Sequence, residues 1–451
     1  YCGVCSTDLA RRFLPYPLPQ IIGHEVVARH HGRPVVIEIN ASHAARGLTD
    51  IQCAFCNNDM NTQCPHRITL GIDRLPGGFA PYILAPINAI VPIPENVSEL
   101  AAALTEPFAA ALQGVEATAP REQDRVAVLG PRRLGSLIIA ALAGYRNREQ
   151  ADFEIAAIAR HDHLLKLCRE LGADTLINTN KQDAAALKAS FDIVFDTTGK
   201  PEGFELALSL TRRVLHLKST NGQEVMGLKH LTDMVVDEIA LLPFSTEHLG
   251  YSWPREIESG QHRRNRNVLV HPEVSADIIE QIETHGDYTV WRLDPREAGE
   301  KIRQALDADT TFPEGSPFPR FDLAVAATLQ GVDEIVRPFP GEEFSPLRAR
   351  GAVLLAPDIS ANPAKGAADL PELVRQITER KIEIHTSRCG SFERALQILS
   401  HNPEMTRVLE QNLITHQFGL SDIDAAFATA ADSSQSVKVI VATGATDRSN
   451  R

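Results

Sequence analysis

The sequence predicts an α/β protein, with short strands and loops first and parallel sheet with covering helices after. Three observations carry this. Residues 125–217 alternate apolar strands with helical stretches: strand Arg125–Leu129, the tight turn Gly130-Pro131-Arg132-Arg133-Leu134-Gly135, helix Ser136 to Gly144, strand Glu154–Ala159, helix His163–Leu171, then strands Phe191–Phe195 and Val214–Leu217. A second alternation runs from Asn267 to His385, with strand-like Asn267–His271, Tyr288–Leu293, Phe321–Ala327, Gly351–Ala356 and Lys381–His385 separated by helical stretches. Alternating β and α segments imply a parallel sheet between layers of helix. Residues 1–110, by contrast, are rich in Pro and Gly, with β-branched runs such as Val35-Val36-Ile37.

A chain of 451 residues has room for two or three domains of roughly 150 residues each. With 43% apolar and 23% charged residues it has the composition of a globular protein. The net charge of −13 argues against nucleic acid or an anionic membrane as partner. No uninterrupted apolar run is long enough to span a bilayer. Seven cysteines, four of them at metal-ligand spacing, suit a reducing compartment, so a cytoplasmic location is expected.

Two groups of residues read as metal sites. The first is Cys5 with His24, the thiolate and imidazole that zinc takes, with Asp8 and Glu25 beside them and Glu106 as third ligand further along. The second is Asp50-x2-Cys53-x2-Cys56-x7-Cys64, whose spacing suits a closed tetrahedral zinc; the alternative is a lobe of free thiols. Asp50 completes this set only if a carboxylate supplies the fourth place.

The stretches Cys2-Gly3-Val4-Cys5-Ser6-Thr7-Asp8, Gly23-His24-Glu25 and Glu106-Pro107 resemble the catalytic-zinc segments of the zinc-dependent medium-chain dehydrogenase/reductases, which include alcohol, sorbitol and threonine dehydrogenases. The resemblance covers roughly residues 1–242 and 386–443 and implies a GroES-like β-rich catalytic domain joined to a Rossmann, doubly wound dinucleotide-binding domain. It implies Cys5, His24 and Glu106 as catalytic-zinc ligands. Thr7 would be the hydroxyl that passes the alcohol proton, Asp8 the carboxylate that orients the ligand His, and Glu25 a neighbour of the metal. It also implies a structural-zinc lobe at Asp50, Cys53, Cys56 and Cys64. Family members carry a strand region before the point where this chain starts, so a truncated form is expected. In alcohol dehydrogenases of the family a His often follows the relay hydroxyl by three residues; here that place is Ala10.

The turn after Arg125–Leu129 corresponds to the dinucleotide fingerprint G-x-G-x-x-G, with Arg132 at its middle glycine. Candidate cofactor contacts are Gly130, Arg132, Leu134, Gly135, Ala159, Arg160 and Thr198. The place where NAD-binding members carry an acid falls at Ala159, followed by Arg160, which favours NADP over NAD. The strand-like run Met234–Leu242 leads, in the family, directly into a stretch matching Ser387-Arg388-Cys389-Gly390-Ser391-Phe392. Residues 243–386 are therefore expected to be an inserted α/β lobe, between a first unit at 1–110, a dinucleotide unit at 111–242 and a completing segment at 387–451. Phe321-Asp322-Leu323-Ala324-Val325 in the insert echoes Phe191-Asp192-Ile193-Val194-Phe195. No glycine-rich loop opens the insert.

The expected activity is zinc-assisted hydride transfer between a small alcohol or polyol and NADP or NAD, in a monomer or a homo-oligomer. The competing reading is a catalytically inactive relative used as a binding or assembly module, fed by Arg132 in the fingerprint and by the insert.

Overall fold

The computed structural model describes residues 1–13, 18–48, 53–58, 60–218, 228–254, 267–313, 316, 318–339, 344–357, 371–432 and 436–444. Asp50 lies outside them.

Three sheets organise the chain. A six-stranded sheet takes, in spatial order, Ile414–Gly419, Lys438–Ala442, Cys2–Val4, Glu25–His30, Arg33–Ile37 and Ile90–Pro92. Its first two strands come from the far end of the sequence: Cys2–Val4 pairs antiparallel with Lys438–Ala442, Gly3 opposite Ile440. A three-stranded sheet joins Asn40–Ala41, Ile68–Leu70 and Arg74–Leu75.

The third sheet has eleven strands. From one edge its first part runs Thr175–Asn178, Glu154–Ala159, Arg125–Leu129, Phe191–Asp196, Thr211–Leu217 and Glu383–Thr386. It continues through Ala240–Pro243, Leu347–Leu355, Phe321–Ala326, Asn267–Val270 and Thr289–Arg292. All neighbours within each part are parallel, and the parts meet antiparallel at Leu241 and Ile384. The expected insert therefore extends the dinucleotide sheet instead of forming a separate one. Two strands cross over at the seam: Ala240–Pro243 lies beside Leu347–Leu355, and Glu383–Thr386 lies beside Thr211–Leu217.

The strands are apolar on both faces because both faces are covered. Along Arg125–Leu129, Val126 and Val128 pack into one core with Leu137–Leu142 of the following helix, and Ala127 and Leu129 pack into a second. That second core runs without a break across the seam, from Leu215 through Leu241 to Val353 and Leu269.

One element departs from expectation. Met234–Leu242 reads as a single strand, but the chain forms the helix Leu231–Val236 and then the strand Ala240–Pro243. Between them Glu238 takes a left-handed φ of 55°. Its buried carboxylate accepts hydrogen bonds from Gln63 Nε2, Gln113 Nε2, Arg350 Nε and Arg388 N at 2.8–2.9 Å. Four donors from four separate segments offset the local strain, a tertiary effect that the apolar run does not encode.

Candidate active site

The metal-type residues near the N-terminus are set by a short helix. Cys5 is the N-cap of Ser6–Leu9, and its Sγ accepts from Thr7 N at 3.2 Å. In return Asp8 Oδ2 accepts from Cys5 N at 3.0 Å, a reciprocal capping arrangement that fixes both side chains. His24 immediately precedes the strand Glu25–His30 and brings its Nε2 to 3.2 Å from Cys5 Sγ. Its Nδ1 lies 3.5 Å from Asp8 Oδ1, yet this buried nitrogen has no well-formed hydrogen bond. The ligand atoms of Cys5, Asp8 and His24 all fall within 4.8 Å of one another. Burial opposes protonation of His24, but Cys5 and Asp8 outweigh it and raise its pKa well above the ordinary value. Soft sulfur, imidazole and carboxylate that together favour positive charge are a chemical fit to zinc.

The other predicted residues take places around this cluster. Half-buried Thr7 sits between Cys5 and Asp8 in the helix. Glu25 is buried and ion-paired with Lys438 Nζ, which also donates to the Val4 carbonyl at 3.3 Å. Glu106, on the first turn of helix Thr105–Thr118, stands outside the three-residue cluster. Desolvation raises its pKa; His24 lowers it, Glu25 raises it, and Lys438 and Lys218 lower it. It thus belongs to the same charged neighbourhood without joining the ligand atoms.

The second metal-type set gathers its three cysteines and one residue the spacing does not reveal. Cys53, Cys56 and Cys64 come together with His43, all ligand atoms lying within 4.8 Å. His43 Nδ1 is 3.1 Å from Cys64 Sγ and 3.8 Å from Cys56 Sγ. A hydrogen bond from Cys53 outweighs burial and brings the Cys64 pKa down to about 4. Among the described residues His43 is the fourth donor, while Asp50 lies outside them, and three Cys with one His make a closed zinc set. The strand Asn40–Ala41 and the turn after it return His43 to the cysteines, a path that local spacing does not reveal. This lobe also docks on the second part of the large sheet: Phe55 meets Phe318 at 5.1 Å, and Phe318 and Ala349 share a core with Cys53 and Cys64.

A cleft of about 1680 Å³ opens at the carboxyl ends of Arg125–Leu129 and its neighbours. Gly130, Arg132, Leu134, Gly135, Ala159, Arg160 and Thr198 all line it. Gly130 has φ +81°, and a Cβ there would lie 3.0 Å from Thr198 Cγ2. At Gly135 a Cβ would come within 2.9 Å of both the Gly130 carbonyl and Thr197 Oγ1, which itself donates to the Leu129 and Gly130 carbonyls at 2.9 and 2.8 Å. The turn is thus held tightly against the start of helix Arg133–Glu149, the arrangement that receives a phosphate at a helix N-terminus. Arg132 does not point its charge at the loop's own centre: its Nη2 donates to the Ser436 carbonyl at 2.7 Å. Exposed Arg160 is joined at the rim by His161, His163, Lys166 and Lys200, which sequence reasoning did not single out. Ser6 and Leu9 line the same cleft, so the Cys5–Asp8–His24 cluster and the dinucleotide-type turn adjoin one space.

Residues 1–95 match the family model of the alcohol dehydrogenase GroES-like domain. With that match and both metal-type sets in place, the chain is similar to the zinc-dependent medium-chain dehydrogenase/reductases. It is 27% identical over 232 residues to the L-idonate 5-dehydrogenase (NAD(P)(+)) of Escherichia coli K12, covering 47% of this chain and 64% of that one. It is 26% identical over 286 residues to the D-arabitol-phosphate dehydrogenase of Enterococcus avium, covering 57% of this chain and 76% of that one. The crystal structure of L-idonate 5-dehydrogenase from E. coli K-12 superposes with a TM-score of 0.54 at 16% identity, covering 98% of this chain and 89% of that one, a likeness of fold. The likeness to that structure is one of overall fold, and the family-model match is confined to the β-rich first unit. No helix among the described residues is long and apolar enough to cross a membrane.

Proposed function

We propose that this protein is an oxidoreductase that transfers hydride between a small alcohol or polyol and NADP. The observation that carries the reading is the shared cleft: one wall is the tight turn Gly130–Gly135, and the other adjoins Cys5, Asp8 and His24 through Ser6. Cys5 and His24 would hold the catalytic zinc, with Asp8 within the same cluster and Glu106 the nearby carboxylate. When bound, zinc supplies Lewis acidity to a substrate oxygen and the nicotinamide supplies the hydride acceptor.

The chain's own residues do the rest. Asp8 orients His24, a usual device for metal-ligating imidazoles. Thr7, beside Cys5, takes up the hydroxyl proton; with Ala10 after it, the proton leaves by water or by the cofactor's ribose hydroxyls. Lys438 neutralises Glu25, so the carboxylate next to His24 stays fixed. At the far rim Ala159 offers no acid to repel a 2′-phosphate, and Arg160 offers a cation to receive one. The relatives named for idonate and arabitol phosphate support a polyol-type substrate.

The inactive-module reading is favoured by one observation: Arg132 stands at the fingerprint's middle glycine and is bonded to Ser436. Equilibrium binding of NADP+ and a screen of alcohols and polyols for its reduction decide between the two. NADP+ binding with turnover of at least one substrate supports the dehydrogenase; zinc content without NADP+ binding supports the module.

A further inference from the structure

The turn Gly130–Gly135 holds one side chain whose bonding is incomplete. Arg133 Nε is buried and has no hydrogen-bond partner. The same guanidinium donates through Nη2 to the Ala430 carbonyl, near the end of helix Ile423–Ala431. A half-buried guanidinium whose buried Nε has no acceptor and whose Nη2 has only a neutral carbonyl is poorly satisfied, because its planar fork matches a two-oxygen anion. Desolvation lowers its pKa, while Cys5 and Glu25 act the other way. Glu25 already has Lys438 as its ion-pair partner, so Arg133 is not required as a counter-ion there.

Its position says which anion it faces. Arg133 is the first residue of the 17-residue helix Arg133–Glu149, and neither a side-chain cap nor an acid serves that helix end. It lines the cleft together with Gly130, Gly135, Ala430 and Ser436. Where a small residue would let backbone approach a ligand, this chain has Arg132, whose side chain is tied to Ser436. Recognition that backbone N–H groups would share is therefore shifted to the next side chain.

We propose that Arg133 binds the diphosphate bridge of the nicotinamide dinucleotide, exchanging the Ala430 carbonyl for phosphate oxygens. The proposal rests on the dehydrogenase reading for the identity of the ligand. The exchange also couples cofactor binding to helix Ile423–Ala431, which packs on the strands Ile414–Gly419 and Lys438–Ala442 of the metal-bearing sheet.

The test is calorimetric titration of the whole chain with NADP+, inorganic pyrophosphate and adenosine 2′-monophosphate, in the unmutated protein and in R133M and R133K. R133M should weaken NADP+ and pyrophosphate by about ten- to a hundredfold, the worth of one charge-assisted bond. Adenosine 2′-monophosphate, which has no diphosphate, should bind unchanged, and R133K should recover part of the loss. Equal affinity of R133M and the unmutated chain for NADP+ and pyrophosphate overturns the proposal, as does an equal loss for all three ligands. So does unchanged NADP+ affinity with a raised KM confined to alcohols that carry a carboxylate or phosphate, which would assign Arg133 to the substrate. If the unmutated chain takes pyrophosphate but no dinucleotide, the dehydrogenase reading falls, and loss of pyrophosphate in R133M alone then judges the anion site.

Discussion

The two parts of the eleven-stranded sheet follow one plan and reach opposite results at their carboxyl ends. Outward from the seam, Glu383–Thr386, Thr211–Leu217, Phe191–Asp196, Arg125–Leu129 and Glu154–Ala159 match Ala240–Pro243, Leu347–Leu355, Phe321–Ala326, Asn267–Val270 and Thr289–Arg292. In the first part the central strand ends at Gly130, and a wide cleft opens beside Thr197 and Thr198. In the second part the equivalent strand ends at His271, which is buried. His271 Nε2 lies 3.2 Å from Glu334 Oε2, and Thr328 Oγ1 donates to Glu273 Oε2 at 2.8 Å. An imidazole and two carboxylates stand where a phosphate would need glycine and open backbone. The same topology carries a glycine turn beside an open cleft on one side and an imidazole with two carboxylates on the other, so the difference lives in a few residues and not in the fold.

The largest expected effect tests whether the first part alone serves the chemistry. Cys5→Ala or His24→Ala should abolish turnover and remove one zinc per chain, while calorimetry still shows one NADP+ site. Half-maximal activity left in either variant would mean that a second catalytic centre exists elsewhere in the chain.

Next in size is the cysteine lobe that packs on the second part. His43→Ala should release the second zinc and lower unfolding stability by about 3 kcal/mol or more, because closed metal sites contribute folding free energy. The loss should extend into the second part of the sheet, since Phe55, Cys53 and Cys64 pack on Phe318 and Ala349. Asp50→Ala should leave zinc content unchanged; loss of zinc there with retention in His43→Ala would reverse the assignment of the fourth ligand.

A smaller effect separates the two carboxyl ends directly. Gly130→Val should weaken NADP+ at least tenfold, since φ +81° and contact with Thr198 oppose any Cβ. His271→Gly should create no second site, because Glu273 and Glu334 remain. A stoichiometry of two dinucleotides per chain, in the unmutated protein or in His271→Gly, would contradict the comparison.

Much of this was legible in the sequence, for physical reasons that also mark where legibility ended. The turn Gly130–Gly135 announced itself because glycine is needed where φ is positive and backbone contacts are close. The echoing segments Phe191-Asp192 and Phe321-Asp322 take corresponding places in the two parts: Asp192 Oδ2 accepts from Arg125 N at 2.8 Å, and Asp322 pairs with Arg348. The crossing of Ala240–Pro243 and Glu383–Thr386 was not legible, since two short apolar strands carry no mark of which neighbour they choose. Nor was the break at Glu238, whose cause is four donors distant in sequence. His43 leaves no mark in the local spacing, because a metal ligand needs only to be near in space. Arg133 occupies a variable place of the fingerprint, so its residue type carries no signal there.

The smallest effect concerns the strand ends nearest the seam. Thr211–Leu217 is followed by Lys218, and its counterpart Leu347–Leu355 by Ala356, both buried. Lys218 Nζ donates to Ser387 Oγ and to the Ser387 and Arg388 carbonyls at 2.8–2.9 Å, all neutral acceptors. Desolvation lowers its pKa to about 8 from 10.5, although Glu238, Cys389 and Glu106 oppose the shift. Between those two values the unfolded chain binds more protons at this lysine than the folded one, so stability from this group rises with pH through that window. Below about pH 8 both states carry the proton and the burial penalty is present in full. The gain across the window should be on the order of 3 kcal/mol. It should appear as a rise in the urea midpoint that is absent from Lys218→Met, and Ala356, with no charge to bury, should confer no such dependence on its side of the seam. Parallel pH profiles for the unmutated chain and Lys218→Met would show that the three acceptors stabilise the charged lysine as well as water does.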